Sequence, residues 1–180
     1  FKFQYGYGID INPILKTAGD YYLKEKKPEL DVKLYTGVGE LLPFDDESVD
    51  FIFSFDVFEH VKNVEKVVKE CKRILKKDGL LLVVFPQFFQ PLESHLGFVS
   101  KMPSIHWFFN GEDITKAYYK IIKERGPEAQ WYNLDSPHLK EWEKLPSLNG
   151  ITIQRFKNII NNNQLDVLYK GREAIFSDGR

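Results

Sequence analysis

A chain of 180 residues is long enough for one domain with a real core and little more. Its 43% hydrophobic and 15% aromatic content excludes a disordered chain, and 25 lysines and arginines against 26 aspartates and glutamates exclude an overall field that would draw nucleic acid or an anionic membrane. A single cysteine, Cys71, excludes an intrachain disulfide framework and a cysteine-based zinc site.

No stretch approaches the ~20 apolar residues of a membrane span, and the first residues lack the basic-then-apolar layout of a signal peptide. The expectation is a soluble cytoplasmic protein. In chain order, the first segment alternates aromatics with small residues and reads as a strand through about Ile9. Asn12 is placed to cap a helix with Pro13 at its first position, and Pro28 closes that helix off. Asp10 stands at the strand tip. In an α/β sheet such a carboxylate holds a ribose diol; the plainer alternative is a turn carboxylate that caps the helix.

Asp31–Tyr35 reads as a short strand, followed by the loop Gly37-Val38-Gly39-Glu40-Leu41-Leu42-Pro43-Phe44. The acidic run Asp45-Asp46-Glu47-Ser48 reads as a solvated turn. Val49–Ser54 is apolar enough for a buried central strand, and Phe55-Asp56-Val57-Phe58-Glu59-His60 follows it. The ligand crevice of an open α/β sheet lies beyond the carboxyl ends of its strands, so that corner is the candidate site. A polar strand-to-helix corner without function is the alternative. Asn63 can cap a helix with Val64, Val67, Val68, Cys71, Ile74 and Leu75 on one face, ended by Asp78-Gly79. Cys71 on that apolar stripe reads as a small core residue. Leu80–Phe85 is a further strand, stopped by Pro86. Strands alternating with helices at this spacing predict a parallel sheet with right-handed crossovers.

Residues 87–111 mix aromatics and prolines without clean period and read as a cap inserted over the crevice. A helix is expected over 112–125, an irregular segment over 126–150, a helix over about 152–162, and a last strand at Leu165–Tyr169. One domain over 1–180 is expected, with no internal repeat or linker. His95 and His106 lie in the cap, but without a carboxylate at ligand spacing no metal site is expected.

Three segments in order carry a resemblance: Gly8-Ile9-Asp10-Ile11-Asn12-Pro13, Glu40-Leu41-Leu42-Pro43-Phe44 through Ser48-Val49-Asp50, and Phe55-Asp56-Val57-Phe58-Glu59-His60-Val61, followed by Leu75 to Pro86. Together they resemble the class I S-adenosylmethionine-dependent methyltransferases of small-molecule type, over about residues 5–86. The resemblance implies a Rossmann-like, mostly parallel twisted sheet with flanking helices. It implies S-adenosylmethionine as cofactor, S-adenosylhomocysteine as product, and a small-molecule acceptor. Carried over position by position, Gly8 lies in the strand before the cofactor. Asp10 would accept from both ribose hydroxyls, and Ile11 would pack on one adenine face. Val38, Gly39 and Glu40 would meet the adenine edge, and Phe55 and Asp56 would line the methionine end. His60 is the candidate base, since an imidazole titrates near neutrality; capping or packing against the helix is its plainer role.

Two departures from the family pattern stand out. The first strand and its Gly-x-Gly-x-Gly loop are absent, as is a last strand after Arg180, so the sheet is expected to be incomplete at both ends. A fragment of a longer protein, or an omission of residues, is the expected explanation, with completion by another chain, as in a homo-oligomer, the alternative. This stretch alone is expected to bind the cofactor weakly and to be inactive. Val38 occupies the position of a family acid and cannot accept from the adenine amino group. Two other functions compete: a methyltransferase-like module without catalysis, and a nucleic-acid methyltransferase. Against the latter, the lysines scatter over helices, most densely at 62–77, instead of lining a groove.

Overall fold

The computed structural model describes residues 5–88, 102, 104–126 and 148–171. Its elements are β1 (Gly6–Asp10), α1 (Pro13–Lys26), β2 (Val32–Thr36), β3 (Val49–Phe55), α2 (Val64–Ile74), β4 (Leu75–Val84), α3 (Ile105–Phe108), α4 (Gly111–Arg125) and α5 (Ile153–Asn162). They fall into two compact units. One runs up to Ile52 and takes in Asn63–Leu81; the other holds Phe53–Lys62 and the chain from Leu82 on. The expected cap falls mostly on residues 89–101 and 103, and the expected irregular segment on 127–147, outside the described residues.

In the first unit, β1 and β2 pair in parallel, with Gly6 opposite Val32 and Asp10 opposite Thr36. The connection between them is α1, as parallel pairing demands. Asn12 caps α1 by accepting from the Ile14 amide at 2.9 Å, and Pro13 opens it where a missing N–H costs nothing. Leu34 of β2 fills the slot between β1 and α1: a Cβ at Gly8 would stand 2.6 Å from its Cδ2, and one at Gly19 2.4 Å from its Cδ1. A larger residue at either position would make the flexible end of Leu34 turn aside.

Helix α2 carries the buried face of this unit, with Val64, Val67, Val68, Cys71 and Ile74 recurring at helical spacing. Burying each such side chain contributes about 1.5–3 kcal/mol before entropy is subtracted. Burial pushes the Cys71 thiol up to about 11, with the Glu70 charge adding to the shift. The thiol is a core residue, as expected.

The expected end of α2 at Asp78-Gly79 is corrected by the structure, which ends the helix at Ile74 and runs β4 from Leu75. The cause is competition for carbonyls. The amides of Glu47 and Ser48, entering β3, take the Arg73 and Ile74 carbonyls at 2.9 Å each. Orphan acceptors of the last turn are thereby satisfied without further helix. Asp78, at φ 65°, is a left-handed residue inside β4.

β3 and β4 form a second two-stranded sheet. Ser48 bonds Ile74 where both strands begin, and the Asp56 amide donates to Val84 at 2.9 Å where both end. The strands therefore run in the same direction, as the sequence predicts. The fold is α/β and Rossmann-like.

The core of the second unit gathers around Phe58, Ile114, Tyr118, Leu148, Ile151 and Ile159. The Phe58 ring lies 6.4 Å from Phe85 and 5.7 Å, edge on, from Phe156. Ile105 and Phe88 pack against Ile114, Tyr118 and Leu148. The expected helices over 112–125 and 152–162 are found as α4 and α5. The strand expected at Leu165–Tyr169 is not: this segment has no regular structure, and Leu168 is 81% exposed. An alternating apolar pattern becomes a strand only where a neighbouring edge takes its backbone groups. Among the described residues no helix is long and apolar enough to cross a membrane.

Candidate functional site

In the first unit, parallel pairing brings the carboxyl ends of β1 and β2 side by side. Asp10 is the last residue of β1 and is exposed. Its Oδ1 accepts from the Asn12 amide at 2.7 Å, whereas Oδ2 makes no hydrogen bond among the described residues. Its carbonyl accepts from Gly37 at 3.0 Å, which ties the start of the loop after β2 to the tip of β1. Ile11 is 69% exposed beside it, and Gly8 lies two residues down the strand. The sequence-predicted residues Gly8, Asp10 and Ile11 thus lie at the end of β1, and Val38, Gly39 and Glu40 in the loop after the neighbouring β2.

That loop is held by α2. Val38 is 41% exposed, and its carbonyl accepts from Leu41 at 3.2 Å, making a turn over 38–41. A Cβ at Gly39 would lie 3.3 Å from both Val67 methyls, so glycine lets the loop rest on the helix. Glu40 points at α2: its Oε1 accepts from the Asn63 amide at 3.0 Å, while the Asn63 side chain caps the helix on Lys66. Glu40 is therefore engaged structurally.

Further along α2, Glu70 and Arg73 seize the rest of the loop. The Glu70 Oε2 accepts from the Leu42 amide at 2.9 Å. Arg73 donates from Nε to Glu70 Oε1 and from Nη2 to Glu70 Oε2 and the Leu42 carbonyl. Its Nη1 donates to the Phe44 carbonyl at 2.7 Å and to Asp46 Oδ1 at 2.8 Å. All five guanidinium N–H groups are used, the maximum for this side chain. Its bonds to Glu70 and Asp46 hold the guanidinium well above its ordinary pKa, and the Arg73 bond in turn holds the Glu70 carboxyl below 4.5.

In the second unit, Phe55 ends β3 with 55% of its surface exposed, and Asp56 follows at φ 52°. A left-handed residue at a strand end re-aims the chain, and aspartate tolerates that conformation better than most. His60 is exposed, its Nε2 3.6 Å from Oε1 of the buried Glu59. The corner is pinned by Asn149. Its Nδ2 donates to the Phe58 carbonyl at 2.7 Å and the Val61 carbonyl at 2.8 Å, its amide to the Glu59 carbonyl at 2.9 Å. Its Oδ1 accepts from Ile151 at 2.9 Å.

Sequence reasoning passed over Glu70, Arg73 and Asn149. The Glu70/Arg73 spacing marks a helix-surface pair, and Asn149-Gly150 marks a turn, but neither pattern names a partner 28 or 91 residues away. His106 lies on α3 beside Trp107, whereas His95 falls outside the described residues. Among the described residues no cluster of three metal-ligating side chains occurs.

Residues 2–83 match the model of a family described as a methyltransferase domain. YcgJ of Bacillus subtilis, an uncharacterised methyltransferase, is 35% identical over 77 residues, covering 43% of this chain and 30% of that protein. A malonyl-[acyl-carrier protein] O-methyltransferase of Coxiella burnetii is 37% identical over 84 residues, covering 46% of this chain and 29% of the enzyme. The crystal structure of YcgJ aligns over 66% of this chain and 52% of its own, with 25% identity and a TM-score of 0.46. The chain thus spans about a third of the length of these curated relatives. The family match covers just under half of the chain and takes in the strand-tip aspartate and the parallel pairing of β1 with β2, and over that stretch the chain is similar to the methyltransferase-domain family.

Proposed function

We propose that the protein moves a methyl group from S-adenosylmethionine to a small-molecule acceptor. The observation that carries this reading is the exposed Asp10 carboxylate at the end of β1, with one oxygen unengaged among the described residues, inside the matched segment. The residues present fit an adenosine. Asp10 accepts from the two ribose hydroxyls, the exposed Ile11 side chain covers an adenine face, and backbone groups of Val38 and Gly39 meet the adenine edge. Glu40 serves that edge indirectly, by holding the turn onto Asn63. Phe55 and Asp56 are assigned to the methionine end. The bound donor supplies an electrophilic methyl whose in-line transfer leaves a neutral thioether, so alignment contributes most of the catalysis. His60 is assigned the proton released by an oxygen or nitrogen acceptor, within the 10²–10⁴-fold range usual for a base, about the most one imidazole supplies.

The full-length protein, titrated calorimetrically with S-adenosylhomocysteine, is expected to bind at micromolar Kd. Asp10→Ala removes a charge-assisted pair of hydrogen bonds and is expected to weaken binding by at least about 10-fold. Absence of binding by the wild-type protein overturns the reading. It would favour a methyltransferase-like module without catalysis, to which Val38 already points, because a valine side chain offers no acceptor to the adenine amino group.

A further inference from the structure

We infer that Glu70 and Arg73 are positioning residues for the adenine-side loop, an inference that rests on the adenosine-binding reading above. Four successive positions along one side of α2 engage consecutive parts of residues 39–46. Asn63 holds Glu40, Val67 bears on Gly39, Glu70 holds Leu42, and Arg73 holds Leu42, Phe44 and Asp46. Their spacing of four, three and three residues is that of a single helix face. The loop is therefore laid along the helix, and the contacts fix its backbone: three of the bonds from Glu70 and Arg73 go to main-chain atoms of Leu42 and Phe44.

At its other end the same loop is tied to β1 by the Gly37 amide on the Asp10 carbonyl. The turn over 38–41 is thus held between Asp10 on one side and Glu70 with Arg73 on the other. The groups assigned to the adenine edge are backbone groups, with no side-chain rotamer to adjust, so their direction is the direction of the loop. A surface ion pair that merely added stability would need one bond from Arg73 to Glu70. Here the guanidinium spends three of its five donors on the loop, two carbonyls and the Asp46 carboxylate.

The test compares full-length wild type with Arg73→Met, Arg73→Lys and the isosteric Glu70→Gln, each titrated with S-adenosylhomocysteine, with Kd and the binding-competent fraction read separately. A loop that loses its placement raises Kd, about 10-fold in Arg73→Met and about threefold in Glu70→Gln, with the fraction unchanged. Arg73→Lys is expected to stay near Arg73→Met, because an ammonium cannot span three separated acceptors in one plane. A wild-type Kd in the variants, or a loss confined to the competent fraction, overturns the inference and leaves the adenosine reading standing. Should Arg73→Met fail to fold, the Kd of Glu70→Gln decides. No binding by wild type refutes the adenosine reading itself, and the inference falls with it.

Discussion

Asp56 holds a special backbone position and is also one of the residues proposed to meet the cofactor. It sits at φ 52°, where a side chain with a Cβ is crowded by its own backbone, immediately after the last residue of β3. Its amide is bonded to Val84, so the unusual conformation is held by the strand pair. Asp56→Gly is expected to keep or slightly raise stability, and Asp56→Val to cost roughly 1–2 kcal/mol, read from urea midpoints. Both variants are expected to weaken S-adenosylhomocysteine binding, which separates the carboxylate from the turn it occupies. A stable Asp56→Val protein would contradict the conformational account. The position was legible from its place after an apolar strand; the sign of its φ was not, since aspartate is common in ordinary turns as well.

Helix α2 and the loop beside it illustrate what pattern reveals about an element and what it hides. The Asn63 cap and the buried positions 64, 67, 68, 71 and 74 follow from spacing alone. The end of the helix does not, because Glu47 and Ser48 arrive from elsewhere in the chain and claim the last carbonyls. The same holds for the solvated face, where Glu70 and Arg73 look like an ordinary surface pair until the loop over 42–46 is laid upon them. Their coupling carries a pH dependence. The Arg73 bond, reinforced by the Leu42 amide, lowers the Glu70 pKa below the ordinary 4.5. A depressed carboxyl contributes stability that is complete above the unfolded value and is lost as pH falls through the folded one. Urea midpoints of wild type and Glu70→Gln should therefore differ at about pH 7 and converge as the pH falls well below 4.5. A gap that persists at the acid end would mean that Glu70 does not act through its charge.

For the whole molecule, the parallel pairing, the crossover helices and the strand-tip aspartate were readable because each rests on local periodicity or on a short motif. The strand expected at Leu165–Tyr169 was not borne out, because a strand is a property of two segments and only one was in view. Binding at the proposed site has a global readout. A ligand held by the native state alone stabilises it by about 2.7 kcal/mol at 100 times its Kd, which for a chain of this size is roughly 5–11 °C in Tm. Saturating S-adenosylhomocysteine should raise the Tm of the full-length protein by that order, and Asp10→Ala should abolish most of the rise at equal concentration. An unshifted wild-type melting curve would argue against a cofactor site.

Leu34 gives the carboxylate proposed to hold the ribose a hidden dependency. Its isobutyl group lies against two glycines, Gly8 and Gly19, and would have to turn aside for a methyl at either. It thereby gauges the gap between the first strand and the first helix, as a shim gauges a joint. Asp10 stands two residues, roughly 7 Å, along the strand from Gly8. Accuracy in gripping a sugar would then be inherited from hydrocarbon packing one step upstream, and a change of bulk at any of those three positions would be felt at the strand tip.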